Sequence, residues 1–485
     1  MAYVKKEDLV IFNLSEGRLQ ALVTDIQFRR FRKSYKDKKT GETKSRLKSV
    51  PYAICTITGS SLPKHNVGNQ FIIAGYKLRN HAMQGQKCLV LNNQYIAEFE
   101  KDLQLQLILA EPGDTITLDS GLFPILGTLS MEGKENIVIR GNGINSTTLN
   151  FKTQVEGAQG FSITNCKNII LQDFTIQDAK GDAIKCQYVN GITFRRVKAQ
   201  WLGGPKPTNG AYGLYPVQCE NVLIEHCVAI GASDAGIYVG QSKNIIVRFS
   251  EAFENVAGIE IENSTRADVY GNNVHGNTGG ILVFDLPDLV VKEGQQIRIF
   301  DNIIKQNNID NFAPEGNIVA KVPSGTGIMV MATEQVEIFE NTIIDNKTAG
   351  TAIVSYFITE EETKDTQYNP YTSSINIHDN IYRREPQIPT LDHDIGLLLF
   401  TRFFKDVPDI IYDGMPDPKY LGISGYTPLS RRLCITNNSD ADYLNLDISK
   451  NFESWYSPFF ADFNTDISEC ECEQESISEV ILDLE

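Results

Sequence analysis

Lys185, Tyr215, Tyr238 and Glu260 each stand third in a tetrad of one kind: a small residue, an aliphatic, a variable residue, then an apolar one. The four tetrads are Ala183-Ile184-Lys185-Cys186, Gly213-Leu214-Tyr215-Pro216, Gly236-Ile237-Tyr238-Val239 and Gly258-Ile259-Glu260-Ile261. Four more share the frame: Gly160-Phe161-Ser162-Ile163, Gly280-Ile281-Leu282-Val283, Gly327-Ile328-Met329-Val330 and Ala352-Ile353-Val354-Ser355. If the third positions stack, an amine, two phenols and a carboxylate share one column. Lys185 with Tyr215 is then a pair suited to taking a proton from C5 of a uronate, with Tyr238 as the acid. Two residues further on, a parallel column carries Thr164, Gln187, Val217, Gly240, Glu262, Phe284, Met331 and Tyr356. A polar edge follows, formed by Asn165, Tyr188, Gln218, Gln241, Asn263 and Asp285. Stacked tyrosines beside amides and charges suit a sugar ring, flat apolar surface for C–H groups and polar groups for hydroxyls. Gln187, Gln218, Gln241, Phe284 and Asp285 would line such a face. The insertion 201–213, with Trp201 and Tyr212, would wall it. Glu260 and Glu262, ~7 Å apart at the backbone, are spaced to clamp Ca²⁺ with Asn263 or to raise one another's pKa.

The third positions are separated by 23, 30, 23, 22, 22, 47 and 25 residues, the period of a solenoid. A second aliphatic run follows most tetrads, as in Asn168-Ile169-Ile170-Leu171, Asn221-Val222-Leu223-Ile224 and Asn244-Ile245-Ile246-Val247. Short alternating runs of this kind are strands. A coil of two or three such strands satisfies its backbone only with like coils above and below it. The expected fold is therefore all-β, a right-handed parallel β-helix over residues 96–384. The 47-residue step reads as one coil lengthened by loops at 286–295 and 309–325. Upstream, Leu103, Leu105, Leu107, Ile108 and Leu109 mark the apolar side of a capping helix.

Residues 96–384 resemble the pectin-lyase-like superfamily of parallel β-helices. The stretches NGAYGLYPVQCENV, SDAGIYVGQS, GIEIENS and GGILVFDLPDL resemble bacterial parallel β-helix repeat proteins, many of them lipoproteins, whose activity is unassigned. The resemblance implies a carbohydrate-active or carbohydrate-binding protein, a polysaccharide lyase or C5-epimerase on acidic polysaccharide, or a non-catalytic spike. It also implies calcium at Glu260 and Glu262, since calcium-dependent lyases of the superfamily carry such a pair followed by a Lys and, one coil later, an Arg. Here Arg266 is the only basic residue at the first place and 286–288 offers none at the second. Gly181-Asp182-Ala183 approaches the superfamily's Gly-Asp-Asp run without its second Asp. Asp392-His393-Asp394 lacks the Pro of the epimerase signature.

Three segments differ in composition. The first hundred residues hold 17 Lys and Arg against 8 Asp and Glu, whereas the whole chain of 485 residues carries −16. Residues 1–95 read as a small basic β-rich module with strands on either side of DKKTGET. Its run Arg29, Arg30, Phe31, Arg32, Lys33, Tyr35 and Lys36 is the chain's one pattern for nucleic acid. A docking surface that fixes an acidic shaft into a larger phage-like or secretion-like assembly accounts for it better. Residues 385–485 read as an extension of helix, strand and irregular chain with a flexible acidic tail. The chain opens with neither a signal core nor a lipobox, and no run reaches membrane-spanning length. Cytoplasmic synthesis with export inside an assembly is the expectation. The nine cysteines do not suggest a disulfide framework. Cys166 and Cys219 fall two coils apart, Cys186 points inward, and Cys470 and Cys472 read as tail thiols.

Overall fold

The computed structural model describes residues 93–422, 427–439, 441–451 and 463–484, together with the backbone of six strands between Leu9 and Leu91. Those six strands form one antiparallel sheet dominated by the hairpin Gly17–Lys36 with Thr43–Ser60. The basic aromatic run lies on the first of these strands, and its side chains fall outside the described residues.

From residue 115 onward the chain coils. A narrow sheet of 11 parallel strands takes one strand from each coil; a wide sheet of 19 strands takes the others. The tetrads form the narrow sheet, with Ser162 beside Lys185, Lys185 beside Tyr215, Tyr238 beside Glu260, Glu260 beside Leu282 and Leu282 beside Met329. Alternate residues point inward, so Ile163, Cys186, Ile237, Ile259, Ile281 and Ile328 make a continuous dry core. The small residue that opens each tetrad is required by close stacking. A Cβ on Gly213 would lie 2.3 Å from the carbonyl oxygen of Gly236, and one on Gly280 would lie 2.4 Å from that of Gly327. The polar edge also has a backbone cause: Asn165, Tyr188, Gln218, Gln241 and Asn263 all turn the chain at positive φ, between 43° and 56°.

Two ladders of buried asparagines run beside the wide sheet and were not read from the sequence. Asn272, Asn302, Asn341, Asn380 and Asn438 form one; Asn255, Asn277, Asn307 and Asn346 form the other. After the first member of each ladder, every Oδ1 accepts from the main-chain N–H and the Nδ2 of the asparagine one coil above; Asn272 and Asn255 accept the N–H groups of Ser250 and Ala232 instead.

Several expectations change. Helix α1, Asn93–Leu109, caps the first coil through Leu103 and Leu107, but Leu105, Ile108 and Leu109 face solvent. Polar contacts add to this hold: Glu100 accepts the N–H groups of Leu126 and Gly127 (both 2.7 Å), and Gln104 exchanges two hydrogen bonds with Ser130. The last repeated tetrad is shifted by two residues. Met329 pairs with Ala352 and Met331 with Val354, so Val354 belongs to the second column and Tyr356 to a short 3-10 turn. Coiling also does not stop at 384, because Ile410–Tyr412 and Tyr443–Asn445 extend the narrow sheet and Leu433–Thr436 the wide one.

Nor is the acidic tail loose. Cys472 is bonded to Cys434, while Cys470 is a buried free thiol. Beyond the disulfide the chain runs along the outer face of the wide sheet: Ile477 N–H donates to Glu337, Val480 N–H to Asp268 and Asp483 N–H to Asn221. These contacts recur every three residues and every second coil. That is the match expected when an extended chain, at about 3.3 Å per residue, crosses strands about 4.8 Å apart. Reducing Cys434–Cys472, or replacing Cys472 by serine, should strip amide-exchange protection from 477–483 and lower stability by roughly 2–4 kcal/mol. Protection that survives reduction would mean that the three docking bonds suffice without the tether.

Candidate functional site

The outward columns of the narrow sheet come together as expected, but only their upper end is open. Lys185, Gln187, Tyr212, Tyr215 and Gln218 are half-buried. Lys185 Nζ lies 5.1 Å from the centre of the Tyr215 ring, and Gln187 donates to Gln218 across one coil (2.8 Å). Tyr212, Tyr215 and Tyr238 pack as a trio, with ring centres 4.5 to 4.9 Å apart. Asp182, which opens the Lys185 coil, joins this end. Burial raises its pKa, and Lys185, Gln159 and the backbone of Tyr212 oppose the rise.

Below this mouth the face is sealed, contrary to the expectation of a solvent-facing groove. Tyr238 is 4%, Glu260 1% and Glu262 7% exposed. The coil pattern tells inward from outward, but it does not tell what an insertion lays over the outward side. The segment 309–325 packs Phe312, Ile318, Val319 and Val322 into one apolar cluster with Tyr238, Leu282 and Phe284. Gln241 accepts the N–H groups of Val290 and Val291, which fixes the 286–295 loop. Asn263 is fully engaged, donating to Leu286 and Val291 carbonyls and accepting Leu286 N–H. Asp285 accepts Gly294 N–H (2.9 Å), and its own carbonyl receives the Tyr368 hydroxyl. Trp201 does not wall the groove. It is buried, and its indole donates to Ala179 (2.7 Å), anchoring the exposed 202–208 loop. The apolar lower half of the face is likewise covered, closing on a cavity of about 40 Å³ lined by Phe284, Met329, Met331, Ala352 and Leu399.

The sealed acids are not in ordinary states. Burial, reinforced by the neighbouring carboxyls, pushes Glu260 well above the carboxylate range and Asp234 with it. Burial also raises Glu262, against the opposing hydrogen bond from the Tyr238 hydroxyl (2.6 Å). Asp285 is pushed by burial to about 7. Asp234 accepts Asn317 Nδ2 of the cover (3.1 Å), while its Oδ1, Glu260 Oε2 and Asp285 Oδ1 have no hydrogen-bond partner. Carboxyls in this condition hold protons. Asn263 is committed to the loop, so of the three expected calcium ligands only Glu260, whose Oε2 is without a hydrogen-bond partner, and Glu262 keep their carboxyls for other use. Among the described residues no group of three or more His, Cys, Asp or Glu is placed to hold one.

The phenols follow the same logic. Burial and the nearby carboxyls raise Tyr212, Tyr215 and Tyr238, so all three remain neutral donors. Tyr215 is therefore unsuited to act as a base, and Tyr238 meets Glu262 instead of solvent. Asp182 and Asp234 were missed as members of the site. They stand one place apart in the register, Asp182 in line with Tyr212 and Ala235 and Asp234 just before that place, so the repeat gave no common signal for them.

Residues 159–359 match the family model described as the right handed beta helix region. No curated protein matches the chain. Solved structures with similar chains include the A-module of the Azotobacter vinelandii mannuronan C-5 epimerase AlgE4, at 15% identity over 67% of this chain and 86% of that one (TM-score 0.40). PfbA, a surface adhesin of Streptococcus pneumoniae, is 12% identical over 66% and 78% (TM-score 0.45). The DFA-IIIase of Arthrobacter chlorophenolicus is 10% identical over 60% and 90% (TM-score 0.31). No helix among the described residues is long and apolar enough to cross a membrane. The family match over 159–359 and the in-register stacking of the coils show a right-handed parallel β-helix.

Proposed function

We propose that the open upper end of the narrow sheet binds a glycan chain. The observation that carries this reading is the half-exposed set Lys185, Gln187, Tyr212, Tyr215 and Gln218 on one face, beside the exposed 202–208 loop. An ammonium, two amides and tilted phenol rings supply the hydrogen bonds and flat apolar surface that a pyranose engages. Lys185 can meet a uronate carboxylate, so acidic polysaccharide is the class first tested. Asp182 tempers that preference. Should the site turn its ligand over, Lys185 acts as the free amine and takes the C5 proton, and neutral Tyr215 gives its proton to the departing oxygen in elimination or to the opposite face of C5 in inversion. Calcium has no part in this reading.

Replacing Lys185 and Tyr215 together by alanine should weaken binding to a glycan selected on an array by at least about tenfold. The fold should persist, since neither side chain is in the core. Wild-type affinity in the double variant would end the reading. Turnover is read separately, by shortening of the polymer or inversion at C5.

A second reading, a non-catalytic spike or adaptor held in a larger assembly by residues 1–95, is favoured by one observation. The chemically richest part of the face, Tyr238 with Glu260 and Glu262, is shut off from any polymer. Binding without turnover, with the native protein in a larger particle by light scattering, supports this alternative.

A further inference from the structure

An open groove of about 840 Å³ lies on the outer face of the wide sheet, between the strands and the tail laid along them. That volume is within the roughly 300–1,000 Å³ of sites that take small ligands. No residue of the narrow-sheet face lines it. Its floor is built by register. Arg266, Gln296, Gln335 and Ser374 are each the second residue of a strand in four successive coils, and all four stand at positive φ, between 56° and 61°. Stacking repeats the place every ~4.8 Å. Asn376 adds to the floor, and the tail residues 473–478 and the turn 429–431 line the rest. The tail is fixed there by Gln474, which donates to the Arg432 carbonyl (2.8 Å), and by the Ile477 N–H to Glu337 (3.0 Å).

The polar groups of this floor are left over from the fold. Arg266, Gln296, Gln335 and Asn376 make no side-chain hydrogen bond or ion pair with any described residue, although Asn376 is only 7% exposed. The same column above Arg266 behaves otherwise: Asn244 donates to Asn221 (3.3 Å), and Asn221 to Asn190 (2.9 Å). Arg431, the other cation of the groove, is engaged by Glu334 (3.2 Å) and lies 4.3 Å from the centre of the Tyr420 ring. Ser374 donates to the Ser430 carbonyl (2.9 Å), and Glu337 meets His378 (3.2 Å) as well as the Ile477 N–H. One half-buried guanidinium and three amides therefore face the groove unpaired, in a chain whose net charge is −16. Polar groups at such depth ordinarily find partners within the protein, so a row of them without any points to partners outside it.

We propose that this groove is a second glycan site, taking a saccharide chain that carries a single carboxylate, with the carboxylate on Arg266 and the hydroxyls of the following sugars on Gln296, Gln335 and Asn376. A guanidinium fork matches a carboxylate through two parallel hydrogen bonds. A primary amide donates and accepts at once, as a hydroxyl does in return. The repeat of ~4.8 Å along the row is close to the advance of an extended sugar chain per residue. Leu429, 52% exposed, and the half-buried Ile477 offer apolar surface to sugar C–H groups. The tail sets the limit on charge. Glu473 and Glu475 are exposed on it and repel a chain with a carboxylate on every residue. The site stands on residues that the narrow-sheet mouth does not share, so neither reading depends on the other.

The test is calorimetric titration of the full chain with a xylo-oligosaccharide bearing one glucuronate, with the same oligosaccharide lacking it, and with oligogalacturonate. The glucuronate-bearing probe should bind at least about tenfold more tightly than either of the others. Arg266→Gln should abolish that advantage. Glutamine already occupies this place, at the same φ, in the next two coils, so the variant keeps the fold. Gln296→Ala/Gln335→Ala should weaken both xylo-oligosaccharides by about threefold or more. Lys185→Ala/Tyr215→Ala should leave the affinity for the glucuronate-bearing probe as it is in wild type. The proposal is overturned by absence of binding of that probe, by equal affinity for the charged and uncharged probes, or by wild-type affinity in Arg266→Gln. Binding that vanishes in Lys185→Ala/Tyr215→Ala and survives in Arg266→Gln overturns it too, and places the ligand at the mouth. Binding lost in Arg266→Gln, in a protein whose mouth binds no glycan, supports this groove and ends the reading of the mouth.

Discussion

Replacing Asn302 by leucine should cost roughly 3–5 kcal/mol, more than any exposed substitution on the molecule. The side chain is 1% exposed and takes part in four hydrogen bonds. Its Nδ2 donates to the Val269 carbonyl (2.8 Å) and to Asn341 Oδ1 (2.9 Å), and its Oδ1 accepts the N–H and Nδ2 of Asn272 (both 3.0 Å). Leucine keeps the same branched set of four side-chain heavy atoms, so no cavity opens. The cost comes from what remains: the Asn272 main-chain N–H and the Val269 carbonyl lose partners in a place water cannot reach. Each such orphan costs about 1–3 kcal/mol, whereas an intact bond contributes only about 1. Because every member orients the next, the loss should spread along the ladder to Asn341 and Asn380. A urea titration of variant against wild type reads the difference. A shift below about 1 kcal/mol would show that the ladder decorates the coil edge without holding it.

That ladder was legible and went unread. Its spacings, 30 from Asn272 to Asn302 and 39 to each of Asn341 and Asn380, are the local coil lengths, so the same positions that mark the strands mark the ladder. The coils themselves were legible because glycine and isoleucine at fixed offsets answer two strong demands, close backbone stacking and a dry core. The frame failed where those demands are met differently. At Gly350-Thr351-Ala352 the inward place is filled by Thr351, whose hydroxyl is matched by the Tyr382 phenol (2.7 Å). An apolar template passes over such a pair and settles on Ala352-Ile353 two residues later. The second strand of the Gly258 coil, Thr265–Tyr270, was missed for a similar reason, its Arg266-Ala267-Asp268 lacking an aliphatic pair. The covers are a different case. The sequence places 286–295 and 309–325 as insertions, but where an insertion folds back depends on contacts with residues far along the chain, such as Asn317 with Asp234, 83 positions apart. The alternation that identified Tyr238 and Glu260 as outward-facing was correct about direction. It carries no information about what lies beyond.

Global stability should fall by several kcal/mol between about pH 5 and about pH 8, and Glu262→Gln should remove much of that slope. Glu262 is nearly fully buried, and burial lifts its carboxyl from 4.5 to about 7 against the opposing hydrogen bond of Tyr238. A raised acid binds a proton in the folded chain that the unfolded chain has already released. Stability from protonation is therefore greatest below the unfolded value and is lost as pH climbs to the folded one. A shift of that size corresponds to about 3 kcal/mol for one group. Asp234 and Glu260 are coupled to it, so their shares do not simply add. Other groups must be separated from this slope. Burial alone would raise Glu225 and Glu337, but hydrogen bonds from Arg248 and Arg195, and from His378, outweigh it and lower both. Their contribution is lost only in acid, and above about pH 5 it is level. His378 does titrate within the window: its bond to Glu337 raises it, so its stabilisation also declines with rising pH and mimics the effect sought. His393, lowered by burial, works in the opposite sense. The decisive quantity is therefore the difference between wild type and Glu262→Gln, in which both histidines cancel. Glutamine keeps an oxygen to accept the Tyr238 hydroxyl, so packing is preserved while the titration is removed. Denaturation midpoints that fall in parallel for the two proteins across this range would mean that Glu262 is already charged in the folded chain, and that the sealed face is held by something other than neutral acids.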